Sequence, residues 1–205
     1  MIKRILSLFL TLASLVAQAQ ERTVSVGLLQ DRTVRHIMVM STKGNCSVFV
    51  DGKRIGEVKA NDGLVVDLAD GKIKGKSLSL SFTATTSVEL VPQLETGGFR
   101  LRSMDHKLAE RTYPGTLKVT NNGGVFRLVD VADIEAYTEG VVKAEAGNQH
   151  HVEYYKLQSV SCRTYALSNS RKHALDGFQL CDGVHCQVFH GVNTNDSIHQ
   201  AVEAT

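Results

Sequence analysis

The chain has 205 residues, with 23 basic and 21 acidic side chains and a formal net charge of +2. With no basic stripe and no run of like charge, nucleic-acid binding and attachment to an anionic membrane surface have no electrostatic support. Four cysteines are too few for a disulfide-held scaffold in a chain long enough to bury an ordinary core, and the absence of tryptophan counts against a broad sugar-stacking platform.

The first elements belong to targeting. Lys3 and Arg4 form a positive start, Ile5 to Val16 an apolar stretch, and Ala17-Gln18-Ala19 the small-x-small pattern of a signal-peptidase site. A membrane span needs roughly 20 apolar residues. Residues 1–19 are therefore read as a cleaved signal peptide, with no stable transmembrane anchor. The protein is predicted to be exported to the periplasm, the cell envelope or the exterior. The signal segment holds Lys3 and Arg4 and no acid, so the mature chain is formally neutral. The first cysteine is Cys46, so no lipid-attachment cysteine follows the cleavage point.

Residues 20–97 read as a β-rich module. Val24–Leu29, His36–Met40, Ser47–Val50 and Leu64–Leu68 are short apolar runs, and Ser77–Phe82 alternates polar and apolar residues with period two. Asp51-Gly52 and Asp70-Gly71 are tight-turn signals. No residue here suggests chemistry, and a scaffold or docking role is the expected one. Gly97-Gly98 marks the expected joint to a second unit, residues 98–205.

In that unit Thr116–Thr120 and Val125–Val129 alternate around Asn121-Asn-Gly-Gly124, which predicts a hairpin. The period then changes. Asp133 is suited to cap a helix from Ile134, with Ile134, Tyr137 and Val141 on one face. A second helix is predicted over Val152–His173, with Tyr154, Leu157, Ser161, Thr164 and Leu167 near one face and small residues at Ser159, Ser161, Cys162 and Ala166. Gly177 is the expected terminator. A short strand at Gln187–His190 and a helix start near Ser197 complete the reading. The fold class is α+β, a β-rich module followed by an α+β domain.

Two constellations could do chemistry. Glu145 ends an apolar helix, where burial would hold a carboxyl protonated and suit it to general acid work. No second carboxylate stands at a fixed spacing, so a two-carboxylate glycosidase cannot be read from the pattern. The other constellation is His173 with Cys181-Asp-Gly-Val-His185-Cys186, whose donors suit a zinc site. Adjacent His185 and Cys186 reach one ion only if a turn bends them together, and a Cys181–Cys186 disulfide fits the spacing equally well. His150 and His151 read as loop histidines. Arg163, if buried, needs a carboxylate partner, for which Glu145 and Asp182 are the candidates. Cys162 reads as a small buried residue.

Five segments occur in a telling order: Tyr113-Pro-Gly-Thr-Leu-Lys118, Leu128-Val-Asp-Val-Ala-Asp-Ile-Glu-Ala-Tyr137, Gly140-Val-Val-Lys-Ala-Glu145, Cys162-Arg-Thr-Tyr-Ala-Leu167 and Leu180-Cys-Asp-Gly-Val-His-Cys-Gln-Val-Phe189. From about Gly98 to Thr205 the chain resembles the SpoIID/LytB domain family, named for a stage II sporulation protein and an amidase enhancer. The resemblance implies a lytic transglycosylase that cuts peptidoglycan glycan strands stripped of stem peptides, with Glu145 as its single general acid and base. It also implies a structural Zn2+ site at Cys181, His185, Cys186 and His173, and makes Arg163, Tyr165 and Gln187 candidate substrate-binding residues. The expected partners are glycan strands and a cell-wall amidase, with no nucleic acid. An alternative within the family is a non-catalytic glycan-binding enhancer of such an amidase, and a third reading is an inactive protein that docks through its β-rich segment. Two departures stand out. Ala144-Glu-Ala-Gly147 replaces the Ser-Glu-Met-Pro stretch of many relatives, and the family domain continues past the Ala201–Thr205 stretch, so the domain is expected to be partial.

Overall fold

The computed structural model describes residues 23–205. The expected signal peptide lies outside them. Alternating burial builds two sheets. The first has seven strands in the order β13 (Leu180–Cys181), β1 (Thr23–Leu28), β12 (Val125–Asp133), β11 (Thr116–Asn122), β8 (Ser87–Pro92), β3 (Cys46–Val50) and β4 (Lys53–Val58). The second has six, in the order β10 (Arg111–Tyr113), β9 (Phe99–Ser103), β2 (His36–Ser41), β5 (Gly63–Ala69), β6 (Lys72–Lys76) and β7 (Ser81–Ala84). Neighbours are antiparallel except β1 with β13, which run parallel.

Period-two burial is clean where one face is core: Val24, Val26 and Leu28 on β1, and Leu64, Val66 and Leu68 on β5, are buried in a single cluster fed by both sheets. The hairpins expected at Asp51-Gly52 and Asp70-Gly71 form, all four residues having positive φ as a two-residue turn of this hand requires. The hairpin around Asn121–Gly124 also forms, joining β11 to β12.

The expected joint at Gly97-Gly98 does not separate two bodies of packing. Both sheets contain strands from before and after it, and β1 lies between β12 and β13. Gly98 is instead a close-approach point. A Cβ there would stand 2.1 Å from the Tyr113 carbonyl oxygen.

The strand expected at Ser77–Phe82 is a correction. Only Ser81–Ala84 pairs, while Leu78 is exposed. Local side chains capture the backbone first: the Ser77 hydroxyl accepts N–H bonds from Ser79 and Leu80, and the Asp62 carboxylate accepts the Leu78 N–H.

Three helices pack together beside the seven-stranded sheet: α1 (Ile134–Ala146), α2 (Val152–Ser168) and α3 (Asp196–Glu203). Asp133 caps α1 as expected, accepting the N–H groups of Glu135 and Ala136 at 2.8 and 3.1 Å. The second helix is shorter than predicted. Asn169 stops it by donating from both its backbone and its side-chain nitrogen to the Tyr165 carbonyl, and a 3-10 turn at Ala174–Asp176 follows, closed by Gly177 in the left-handed region. Its buried face is the one on which the small residues expected to allow close packing lie, except Ser161. Tyr155, Ser159, Cys162 and Ala166 face inward, whereas Tyr154, Leu157, Ser161, Thr164 and Leu167 are exposed. Small side chains let α2 approach α1 and α3 closely, so packing, not the larger apolar stripe, set the face. Among the described residues no helix is long and apolar enough to cross a membrane.

Candidate functional site

Glu145 lies in the last turn of α1, just before Gly147 turns the chain with a φ of 73°. The burial expected around it is absent, since its side chain is exposed. One carboxylate oxygen accepts the backbone N–H of Val188 at 3.1 Å, so a loop forty-three residues away fixes the group. The segment after the acid is ordered by side chains. Lys143 and Asn195 both donate to the Asn148 side-chain oxygen Oδ1, and Tyr155 donates to the Gly147 backbone carbonyl at 3.0 Å and accepts the His150 N–H at 3.1 Å.

Beneath Glu145 is a polar layer that sequence reasoning did not assemble. Tyr137, fully buried on α1, donates to the Gln187 side-chain carbonyl at 3.3 Å and packs against Phe189. Burial pushes the Tyr137 hydroxyl well above the usual phenol range, and the nearby Cys186, Cys162, Glu145 and Cys181 add to the rise. Cys162 faces the same layer from α2. Burial, reinforced by the Glu145 charge and offset by a Gln187 hydrogen bond, pushes its thiol up to about 12. A thiol so raised is no nucleophile, in keeping with its reading as a small buried residue. Tyr137 was visible in the sequence only as a periodic apolar position. Val188 carried no signal at all, because its contribution is a backbone N–H.

Gln187–His190 is not the strand expected. Its N–H groups go singly to different partners, Val188 to Glu145 and Phe189 to the Asp182 carbonyl. Glycine makes this loop's position possible: a Cβ on Gly140 would stand 2.3 Å from the Gly191 carbonyl oxygen and 2.5 Å from the Phe189 ring.

Four donors converge next to this loop. One atom each of His173, Cys181, His185 and Cys186 lies within 4.8 Å of all the others. The turn that adjacent His185 and Cys186 required is present, closed by the Cys186 N–H donating to the Gly183 carbonyl at 3.0 Å. His185 Nδ1 stands 3.8 Å from each sulfur, and all four cysteines of the chain are free thiols. The four donors are thus gathered at one place with both thiols free. His173 fits the role of a metal ligand most closely. Its Nδ1 pairs with Asp176 at 3.0 Å and its ring stacks on Phe178, while its buried Nε2 has no partner. A carboxylate on one ring nitrogen and a free second nitrogen is the arrangement of metal-binding histidines. Two thiolates and two imidazoles could hold a metal ion such as zinc, and they leave no open coordination position.

The remaining candidates are placed elsewhere. The partner of Arg163 is Glu135, contrary to the Glu145 or Asp182 expected. Its Nε reaches the two Glu135 oxygens at 3.0 and 2.9 Å, and Nη2 donates to the Val202 carbonyl at 3.2 Å. Ten residues of helix put Glu135 roughly 15 Å from Glu145 along α1. Arg163 thus ties α1 to α3 at the far end of the bundle. Asp182 is buried, accepts the Leu29 N–H at 2.9 Å and faces Arg111 at 3.8 Å. Tyr165 is half-buried and accepts from Lys172, which also donates to the His185 carbonyl, so it braces the donor loop. Gln187 is buried in the layer under Glu145. His150 and His151 are exposed, as expected. A cavity of 770 Å³ lined by Leu94, Tyr113, Gly115, Asp133 and Glu203 opens at the opposite end of α1 and contains none of these residues.

The fold and site define a mixed α+β protein with an exposed helix-borne carboxylate set beside a Cys/His donor cluster. The model of the SpoIID family, stage II sporulation protein, matches residues 122–205, a span that holds four of the five ordered motifs and leaves Tyr113–Lys118 outside it. That domain associates the protein with the cell wall and with sporulation. No curated protein matches the chain.

Proposed function

We propose that the protein is exported and acts on peptidoglycan as a lytic transglycosylase, with Glu145 as its single acid and base. The observation that supports this best is the Val188 N–H on one oxygen of an otherwise exposed Glu145 carboxylate. It fixes the carboxyl while leaving the second oxygen free to meet a glycosidic oxygen from solvent, as a long polymer substrate requires. Protonated Glu145 gives its proton to the oxygen leaving N-acetylmuramic acid as an oxocarbenium-like state develops. The resulting carboxylate, supported by the same N–H, then takes the proton of the sugar's own C6 hydroxyl, and a 1,6-anhydro end forms. No water is activated, so no second carboxylate is needed. His173, Cys181, His185 and Cys186 would hold a zinc ion whose contribution is structural, bracing the loop ending at Val188. Gln187 and Tyr165 act through that loop, and Arg163 through the helix bundle, so none is given a direct substrate contact.

Incubation with stripped glycan strands tests the reading. Wild-type protein is expected to release anhydro-ended fragments detectable by mass spectrometry, and Glu145→Gln to lose on the order of 10²–10⁴-fold in rate. If neither protein releases such ends and both stimulate a cell-wall amidase equally, the glycan-binding enhancer takes the enzyme's place.

A further inference from the structure

Cys181 and Cys186 stand in a second relation besides shared ligation. Their sulfurs lie within 4.8 Å of each other, and both are free. A disulfide needs about 2.05 Å, so side-chain rotation and a slight closing of the intervening turn would join them. That turn includes Gly183, around which an added Cβ would meet nothing within 4 Å. Cys186 is only half-buried, and its neighbours Val184 and His185 are exposed, which gives a small oxidant access. Cys46 and Cys162 are buried away from this turn. Cys181 is buried as well, so the pair is set apart by geometry: its two sulfurs share one cluster, Cys186 is the one partly exposed cysteine, and neither Cys46 nor Cys162 belongs to the cluster.

We propose that Cys181 and Cys186 form a reversible disulfide site whose bridge competes with the metal ion, using a peroxide as oxidant. In the reduced state both sulfurs are ligands. In the oxidised state a bridge removes two of four donors and the ion leaves. One thiolate attacks the O–O bond of the peroxide, giving a sulfenic acid and, after proton uptake, water. The second thiolate attacks that sulfur, the S–S bond forms, and a second water departs once the leaving oxygen is protonated. Two electrons pass from the sulfurs to the peroxide, and a dithiol reductant returns them. Cys186 immediately precedes Gln187 and Val188, which contact Tyr137 and Glu145. Drawing Cys186 toward Cys181 pulls on the N–H that fixes the Glu145 carboxylate, so the bridge also loosens the site. The inference rests on the metal-holding reading of the cluster and is independent of the glycan chemistry.

The test uses the full reduced chain loaded with zinc and titrated with hydrogen peroxide. Zinc release is followed with a chromogenic chelator, thiols are counted after denaturation, and the 173–205 peptide is weighed. Expected is release of zinc in step with a fall from four thiols to two, a Cys181–Cys186 peptide lighter by two hydrogens, and recovery of zinc binding on adding dithiothreitol and zinc. Cys46→Ser should leave this response intact, and Cys186→Ser should abolish bridge formation. Zinc retained under peroxide, a bridge to Cys162, or irreversible sulfinic acid without a bridge would each overturn the switch. Reduced protein that binds no zinc would overturn the metal reading itself, whatever its action on glycan.

Discussion

Asp130 on β12 is fully buried, opposite Val26 and Leu117 in the sheet register, and neither of its oxygens receives a well-formed hydrogen bond. Burial pushes its pKa up to about 8, and the nearby Gly115 N–H offsets this only in part. In the unfolded chain an aspartate ionises near pH 3.9. Between about pH 4 and 8 the folded form therefore keeps a proton that the unfolded form has released, and stability falls as pH rises through that window. Asparagine cannot ionise, so Asp130→Asn should flatten the dependence. Urea unfolding at about pH 5 and pH 8 is expected to show wild-type protein losing on the order of a few kcal/mol and the variant much less. Equal losses in the two would clear Asp130 as the source. Glu145 shows the opposite environment, exposed and held by one backbone donor. Its candidacy was legible only through the ordered motifs around it, because a single carboxylate at a helix end carries no pattern of its own.

Among the elements, α2 carries two faces of different make-up. The stripe Tyr154, Leu157, Thr164 and Leu167 has helical spacing, yet Leu157 is 64 % exposed. The inward face is built from Tyr155, Ser159, Cys162 and Ala166, because small side chains allow the close approach of α1 and α3. The two faces should respond differently to change. Cys162→Leu is expected to overpack the bundle and cost about 1–3 kcal/mol in chemical denaturation. Leu157→Lys should stay within about 0.5 kcal/mol of wild type. The reverse ranking would mean that the stripe, and not the small residues, carries the packing. Helix existence and the Asp133 cap were legible because both are local. Three of the small residues on the packing face, Ser159, Cys162 and Ala166, were legible too, whereas the helix end was not, because Asn169 decides it.

At the level of the whole molecule, the amino-terminal strand is part of the site's foundation. On β1, Gly27 leaves room for the Phe178 ring, which a Cβ would approach at 2.6 Å, and Phe178 stacks on His173. The same strand pairs with β13, which carries Cys181, and its continuation at Leu29 donates to Asp182. Residues 23–97 and 98–205 thus complete each other's sheets. Expressed separately, each segment is expected to lack a cooperative urea transition, as followed by circular dichroism, whereas the joined chain unfolds cooperatively. A sharp transition in either segment alone would restore an independent module. Nothing in the sequence before Gly97 pointed to this dependence, since strand pairing across more than a hundred residues leaves no local trace.

What the sequence determined by itself was local or ordered: the strands with one buried face, the Asp-Gly and Asn-Gly turns, the capped α1, the SpoIID motifs and the set of Cys and His donors. Tertiary structure decided what depends on approach from a distance. It brought His173 to the thiols and bent His185 and Cys186 together. It gave Arg163 to Glu135 and set the Val188 N–H on Glu145. Side-chain type and spacing record which groups are available, but only the packing of sheets and helices fixes which of them meet.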